Sequence, residues 1–241
     1  MSALLTVKGL SKSFGGFAAL TEVGLEVREG ERFGLIGPNG SGKTTLINCV
    51  TGTLRNESGS IRFDGAEISR LPAYRRTRLG IARSFQLPRP FHSMSVLENL
   101  LVPLAFVPDN EFLARSSVEE QSLELLNSIG LADKAGTQSS QLSQVELRKL
   151  ELARAMAARP RLLISDEAMA GLSSGEVDEV LAILFKLNES GITIIMIEHI
   201  MQAVMRFSER VMCLDAGRII CEGSPQAVMD DKRVQEAYLG A

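Results

Sequence analysis

Tryptophan is absent from this 241-residue chain, tyrosine occurs twice and aromatic residues make up only 5% of it, so aliphatic side chains must fill the core. Cysteine is scarce and odd in number. Cys49, Cys213 and Cys221 argue against a disulfide framework and fit free thiols in a reducing compartment. Cys49 falls in a helical stretch and Cys213 in a strand-like one, so both read as core filler. Neither sign of charge dominates, with 26 basic against 29 acidic residues, and the basic excess that a nucleic-acid partner would demand is missing. One local exception, Arg75, Arg76, Arg78 and Arg83, reads as a solvated helix face. The longest apolar run, "LLVPLAFV" (100–107), falls far short of the ~20 residues a spanning helix needs. The opening "MSALLTVKGLSK" is too poor in apolar residues for a leader peptide. The expectation is a cytoplasmic protein that reaches a membrane only through a partner.

The pattern along the chain changes twice. "LLTVKGL", "VGLEVREG" and "ERFGLIG" read as an antiparallel start, with a turn at Glu29-Gly30, and "SIRFDG" (60–65) adds a strand with an Asp-Gly turn. From Ser95 to Arg159 the periodicity is helical. Capping boxes recur at Ser95/Glu98, Ser117/Glu120 and Ser143/Glu146, and Gly130 suits the residue just past a helix end. After Pro160, uninterrupted aliphatic strands ("RLLISD", "ITIIMIE", "RVMCLD") alternate with helices, the mark of a buried parallel sheet. The division expected is an α/β core from 1–86 and 161–241 with a mostly helical insert over 87–160.

Three sites carry chemistry. "GPNGSGKT", Gly37 to Thr44, matches G-x-x-x-x-G-K-[ST] between a strand and a helix. Glycines let the backbone close around phosphate oxygens, and successive N–H groups form an anion nest at a helix N-terminus. Gly37, Pro38, Asn39, Gly40, Ser41 and Gly42 would make that nest with Thr45. Lys43 would reach the β- and γ-phosphates, and the Thr44 hydroxyl would hold Mg²⁺. Asp166 ends an aliphatic strand, where it can bind Mg²⁺ through water, and Glu167 beside it can polarise an attacking water. His199 closes the next strand at the same edge, within reach of a γ-phosphate, whereas His92 has no such setting. The Asn-Lys-x-Asp motif of guanine-specific enzymes is absent, which leaves adenine and hence ATP.

With these motifs in this order, the whole chain resembles the ATP-binding subunit of an ABC transporter. "KSFGGFAAL", "RSFQLPRPFHSMSVLENLLV", "ITIIMIEHIMQAVM" and "GSPQAVMDDKRVQEAYLG" resemble the branched-chain amino-acid and amide or urea importers in particular. The resemblance implies a P-loop NTPase, RecA-like core with a mixed sheet. Phe14 would stack on the base, and Gln86 would sense Mg²⁺ and water. It further implies two ATP-binding subunits, identical or paralogous, packed head to tail at the cytoplasmic face of a membrane. They would energise two permease subunits and, indirectly, serve a solute-binding protein. "LSQVE" (142–146) stands where the family has Leu-Ser-Gly-Gly-Gln. Ser143 is kept, while Val145 adds a branched side chain where backbone would meet the partner's γ-phosphate. Glu146 would repel that phosphate unless it turns back to cap its helix. Ala168 replaces a frequent Pro, and Ser173 replaces a frequent Asp. Two alternatives stay open: an ABC ATPase of a non-import machine, and an ATP-binding module with little hydrolysis.

Overall fold

The computed structural model describes residues 3–85, 88–106 and 117–239. Strands β1 (Ala3–Phe14) and β2 (Phe17–Arg28) pair antiparallel through several register shifts, and β2 alternates inward and outward side chains over its second half. β3 (Arg32–Ile36) does not continue that sheet, contrary to the antiparallel reading of "ERFGLIG". Four of its five residues are buried, so both of its faces are covered and it belongs inside a parallel sheet. Helix α1 (Lys43–Thr51) follows. Next, β4 (Ser58–Phe63) returns to pair with β1 and turns through Asp64-Gly65 into the short β5 (Ala66–Glu67). Both turn residues have positive φ, 50° and 74°, as a tight hairpin turn demands.

Helix α2 (Ala73–Arg78) and β6 (Ile81–Ser84) precede the helical stretch α3 (Val96–Ala105), α4 (Val118–Ser128) and α5 (Gln144–Met156). All three capping boxes form, each with its Ser N–H donating to the Glu carboxylate at 2.7–2.9 Å. The chain then alternates through β7 (Leu162–Asp166), α6 (Ser174–Glu189), β8 (Thr193–Ile197), α7 (Met201–Phe207) and β9 (Arg210–Asp215). It ends in β10 (Arg218–Gly223), α8 (Pro225–Met229) and α9 (Lys232–Leu239).

The six-stranded sheet runs β10-β9-β3-β8-β7-β6, parallel except for β10. Its strands send alternate residues to opposite faces, each with its own core. Leu162, Ile164, Ile195 and Ile197 meet α1 and the antiparallel sheet on one side. Leu163, Ile194, Met196 and Cys213 meet the later helices on the other. Helix α1, which follows the glycine-rich loop, is thus clamped between two sheets through Leu46, Ile47, Cys49 and Val50.

The basic stretch is not a solvated face throughout. Arg76 is 2% exposed and donates to the carbonyls of Cys49 (2.6 Å) and Val50 (2.8 Å), near the C-terminal end of α1. A cation there satisfies carbonyls that the helix leaves unpaired and complements its dipole. Arg83 also turns inward, while Arg75 and Arg78 stay at the surface beside Tyr74.

Candidate nucleotide site

Parallel pairing brings the candidate residues to one edge. Leu35 of β3 is level with Ile197 of β8, and Ile197 is level with Asp166 of β7. The loop after β3, the His199 turn after β8 and the Asp166-Glu167 pair therefore emerge together at the carboxyl ends of neighbouring strands. That is where open α/β sheets bind ligands.

The loop's shape depends on its glycines. Gly37 has φ +149°, and a Cβ there would lie 2.0 Å from the Leu214 carbonyl oxygen. Gly42 caps α1 at φ +107°, with Ala19 and Leu20 of β2 crowding its Cα. No other residue type fits either position. Ser41 is buried, Pro38, Gly42 and Thr45 are half-buried, and Asn39, Gly40 and Thr44 face outward. The Lys43 ammonium is buried and donates to the carbonyls of Gly37 (2.7 Å) and Pro38 (3.0 Å). Burial lowers its pKa below the ordinary lysine range, opposed chiefly by the negative charge of Glu167. Phe14 lies at the tip of the β1–β2 hairpin, about half exposed, on the hairpin whose residues 19 and 20 flank the loop.

Asp166 is tied down by a residue that the motifs did not reveal. Arg83 Nη2 and Nε donate to Asp166 Oδ2 at 2.5 and 3.1 Å, and Arg83 Nη1 donates to Asn48 Oδ1 on α1 at 2.7 Å. Both donors fall on one carboxylate oxygen, which leaves Oδ1 for a ligand. Asp166 and the outward Thr44 hydroxyl are hard oxygen donors, and among the described residues no cluster of three or more His, Cys, Asp or Glu gathers to hold a metal. That set suits Mg²⁺, which takes most of its ligands from water and phosphate. Gln86, the third metal candidate, lies outside the described residues.

At Glu167 the backbone turns left-handed, with φ 48°, a conformation that costs about 1–2 kcal/mol without glycine and tends to collect at working sites. The turn aims its carboxylate at His199, whose Nε2 lies 2.8 Å from Oε1. A carboxylate held this way orients the imidazole and can accept a proton from water. Behind them Glu198 is 1% exposed and accepts the Met169 N–H at 2.9 Å. Burial pushes its pKa up to about 7.

Helix α5 starts at "LSQVE". Glu146 does turn back. It accepts from the Ser143 N–H at 2.9 Å and pairs with Lys134, whose hydrogen bond is the main reason its pKa falls. Val145 packs part of its side chain against the helical core. Gln144 reaches the other way, donating weakly to the Ala170 carbonyl at 3.4 Å. Ser173 donates its hydroxyl to Glu176 at 2.7 Å at the start of α6, and Ala168 is buried. The N–H groups of Gln144 and Val145 have no acceptor among the described residues.

Comparison with known proteins places this geometry. Residues 20–170 match the family profile described as ABC transporter. The chain belongs to the ABC transporter ATP-binding family. A second profile, described as branched-chain amino acid ATP-binding cassette transporter, matches residues 218–241 of this cassette. The cassette is 39% identical to the high-affinity branched-chain amino acid transport ATP-binding protein BraF of Pseudomonas aeruginosa, over 98% of each chain. A solved ATP-binding cassette of an ABC transporter, in its ADP conformation, superposes with a TM-score of 0.91 at 30% identity and full coverage of both chains. A dimeric cassette in a post-hydrolysis state, bound to ADP and phosphate, gives 0.81 at 27% identity, over 92% of this chain and 98% of that one. ATP hydrolysis coupled to transport is therefore this family's chemistry. No helix among the described residues is long and apolar enough to cross a membrane.

Motif reading missed Arg83, Asn48, Glu198 and Tyr238, whose hydroxyl accepts the Gly37 N–H at 2.8 Å. The sequence groups Arg83 with the solvated arginines, and nothing in its local sequence marks it as the partner of Asp166.

Proposed function

We propose that this cassette hydrolyses ATP to drive an importer of branched-chain amino acids or related amides, working with membrane permease subunits at the cytoplasmic face. The observation that carries the import reading is the match of residues 218–241 to the branched-chain profile, added to near full-length similarity to BraF. In this reading Lys43 and the N–H groups of Asn39, Gly40 and Gly42 to Thr45 bind the phosphates, Gly37, Pro38 and Ser41 shape the loop around them, and Phe14 stacks on adenine. Thr44, Asp166 and Gln86 would hold Mg²⁺, which when bound would neutralise charge on the β- and γ-phosphate oxygens. Glu167 orients the attacking water and His199 donates to the γ-phosphate.

A second cassette supplies Ser143 and the Val145 N–H to the same phosphate, head to tail. The span 87–160 is proposed as the helical subdomain that meets the permease, and 1–86 with 161–241 as the nucleotide-binding core. Support comes from a cleft of about 940 Å³ between α2, β6 and the ends of α3 and α5, where Tyr74, Phe85 and Phe106 stand exposed beside Arg78 and Arg154. Exposed apolar patches of this kind mark contact surfaces.

Reconstitution with the two permease subunits tests the reading. ATP-dependent uptake of leucine or an amide into vesicles supports it. Hydrolysis with no such uptake would refute import while leaving the ATPase standing.

A further inference from the structure

The branched-chain profile covers the chain's last segment, residues 218–241, yet none of the motifs that bind or hydrolyse ATP lies there. The structure nonetheless runs residues 218–239 up to the phosphate loop. Val234 and Tyr238 are four residues apart in α9 and so share a face. Val234 is 2% exposed and sinks into the core where α9 packs against β10 and α8. One turn on, the Tyr238 hydroxyl takes the N–H of Gly37, the first residue of the loop. Asp231 fixes the start of the helix by accepting the Arg233 N–H at 2.9 Å.

The Gly37 backbone is held at three points. Its N–H goes to Tyr238, its carbonyl takes the Lys43 ammonium at 2.7 Å, and the Leu214 carbonyl closes on its Cα. The β9–β10 turn adds a second hold, with Gly217 N–H donating to the Ser41 carbonyl at 2.9 Å. Loop and final segment are therefore one hydrogen-bonded unit. Tyr238 as a whole is 39% exposed, but its hydroxyl is withdrawn enough that burial raises its pKa to about 12, and the neutral phenol oxygen accepts the Gly37 N–H.

We propose that Tyr238 is a positioning residue for ATP: α9 braces the phosphate loop through Gly37, and nucleotide in turn tightens α9. The proposal rests on reading residues 37–44 as the phosphate loop. Reciprocity follows from linkage, because a contact that favours the nucleotide-binding loop geometry must itself be favoured when nucleotide binds. The final segment is then a handle, and whatever holds or displaces α9 changes the affinity for ATP.

Tyr238→Phe removes the hydroxyl and keeps the ring, so α9 should stay docked through Val234. Loss of one neutral hydrogen bond to a loop held for phosphate should weaken Mg-ADP and Mg-ATP binding about three- to tenfold. Hydrogen exchange should show the Gly37 amide opening faster in the variant. Mg-ADP should slow exchange across residues 234–239 in the wild type and fail to do so in Tyr238→Phe. A dissociation constant within twofold of wild type, or slowing of α9 exchange by nucleotide in both proteins, would overturn the proposal. Failure of the wild type to bind nucleotide would instead overturn the phosphate-loop reading.

Discussion

Replacing Arg83 by methionine should cost this protein a large part of its stability. The side chains of Arg83 and Asp166 are 11% and 7% exposed, so the pair is buried and barely screened by solvent. Methionine fills similar space but leaves Asp166 Oδ2 without both of its donors and Asn48 Oδ1 without its one. Stranding one member of a buried pair costs about 3–5 kcal/mol, and an unpaired amide oxygen about 1 kcal/mol more at a half-buried position. A loss of about 5 kcal/mol in a chain this size lowers Tm by roughly 10–20 °C. Urea denaturation followed by circular dichroism gives the free energy directly. The double variant Arg83→Met/Asp166→Leu should recover most of the loss, because an apolar pair of similar volume strands no charge. A single-variant loss under about 1 kcal/mol would show that water reaches the pair. No recovery in the double variant would show that Arg83 stabilises through Asn48 and α1 instead.

Glu198 sets a pH dependence. Its pKa is about 7 when folded against 4.5 ordinarily, so the folded state binds the extra proton, and stability falls as pH rises through that window. Glu198→Gln should flatten the fall and be the more stable protein at pH 8, by on the order of 3 kcal/mol; equal slopes from pH 5 to 8 would refute this. Glu167→Gln should slow hydrolysis about 10²–10⁴-fold while ATP binding stays within a few-fold, and single turnover at the wild-type rate would refute its role. Lys43→Ala should weaken Mg-ATP binding about 10–100-fold by calorimetry, the worth of a charge-assisted bond, and an unchanged constant would refute it. Val145→Gly should raise steady-state hydrolysis of the assembled transporter only about two- to threefold. Relieved crowding is worth far less than the ~3–4 kcal/mol of a deleted donor. A slower variant would mean that the α5 start is built around valine.

Local features were the legible ones. The phosphate loop, the capping boxes of α3, α4 and α5 and the strands around Asp166 and His199 each depend on residues close in sequence, and each formed. Long-range pairings were not legible. "ERFGLIG" has the turn-bounded look of a hairpin strand, and only its burial on both faces, which needs α1 and the helices in place, assigns it to the parallel sheet. Arg76 and Arg83 look like surface charges until their acceptors, some 26 and 83 positions away, are known. Tyr238 and Gly37 lie 201 positions apart, a pairing that no spacing rule reaches.

The start of α5 carries a lesson about inheritance. Its two uncommitted N–H groups belong to the main chain at Gln144 and Val145, and Ser143 with Glu146 fixes the turn that presents them. A binding surface made of peptide groups has no side chain to lose. Such a surface can drift through many spellings and keep its donors, provided the turn still caps and no new side chain stands in front of them. A gene would be scored as having lost this motif long before its protein had lost the donors.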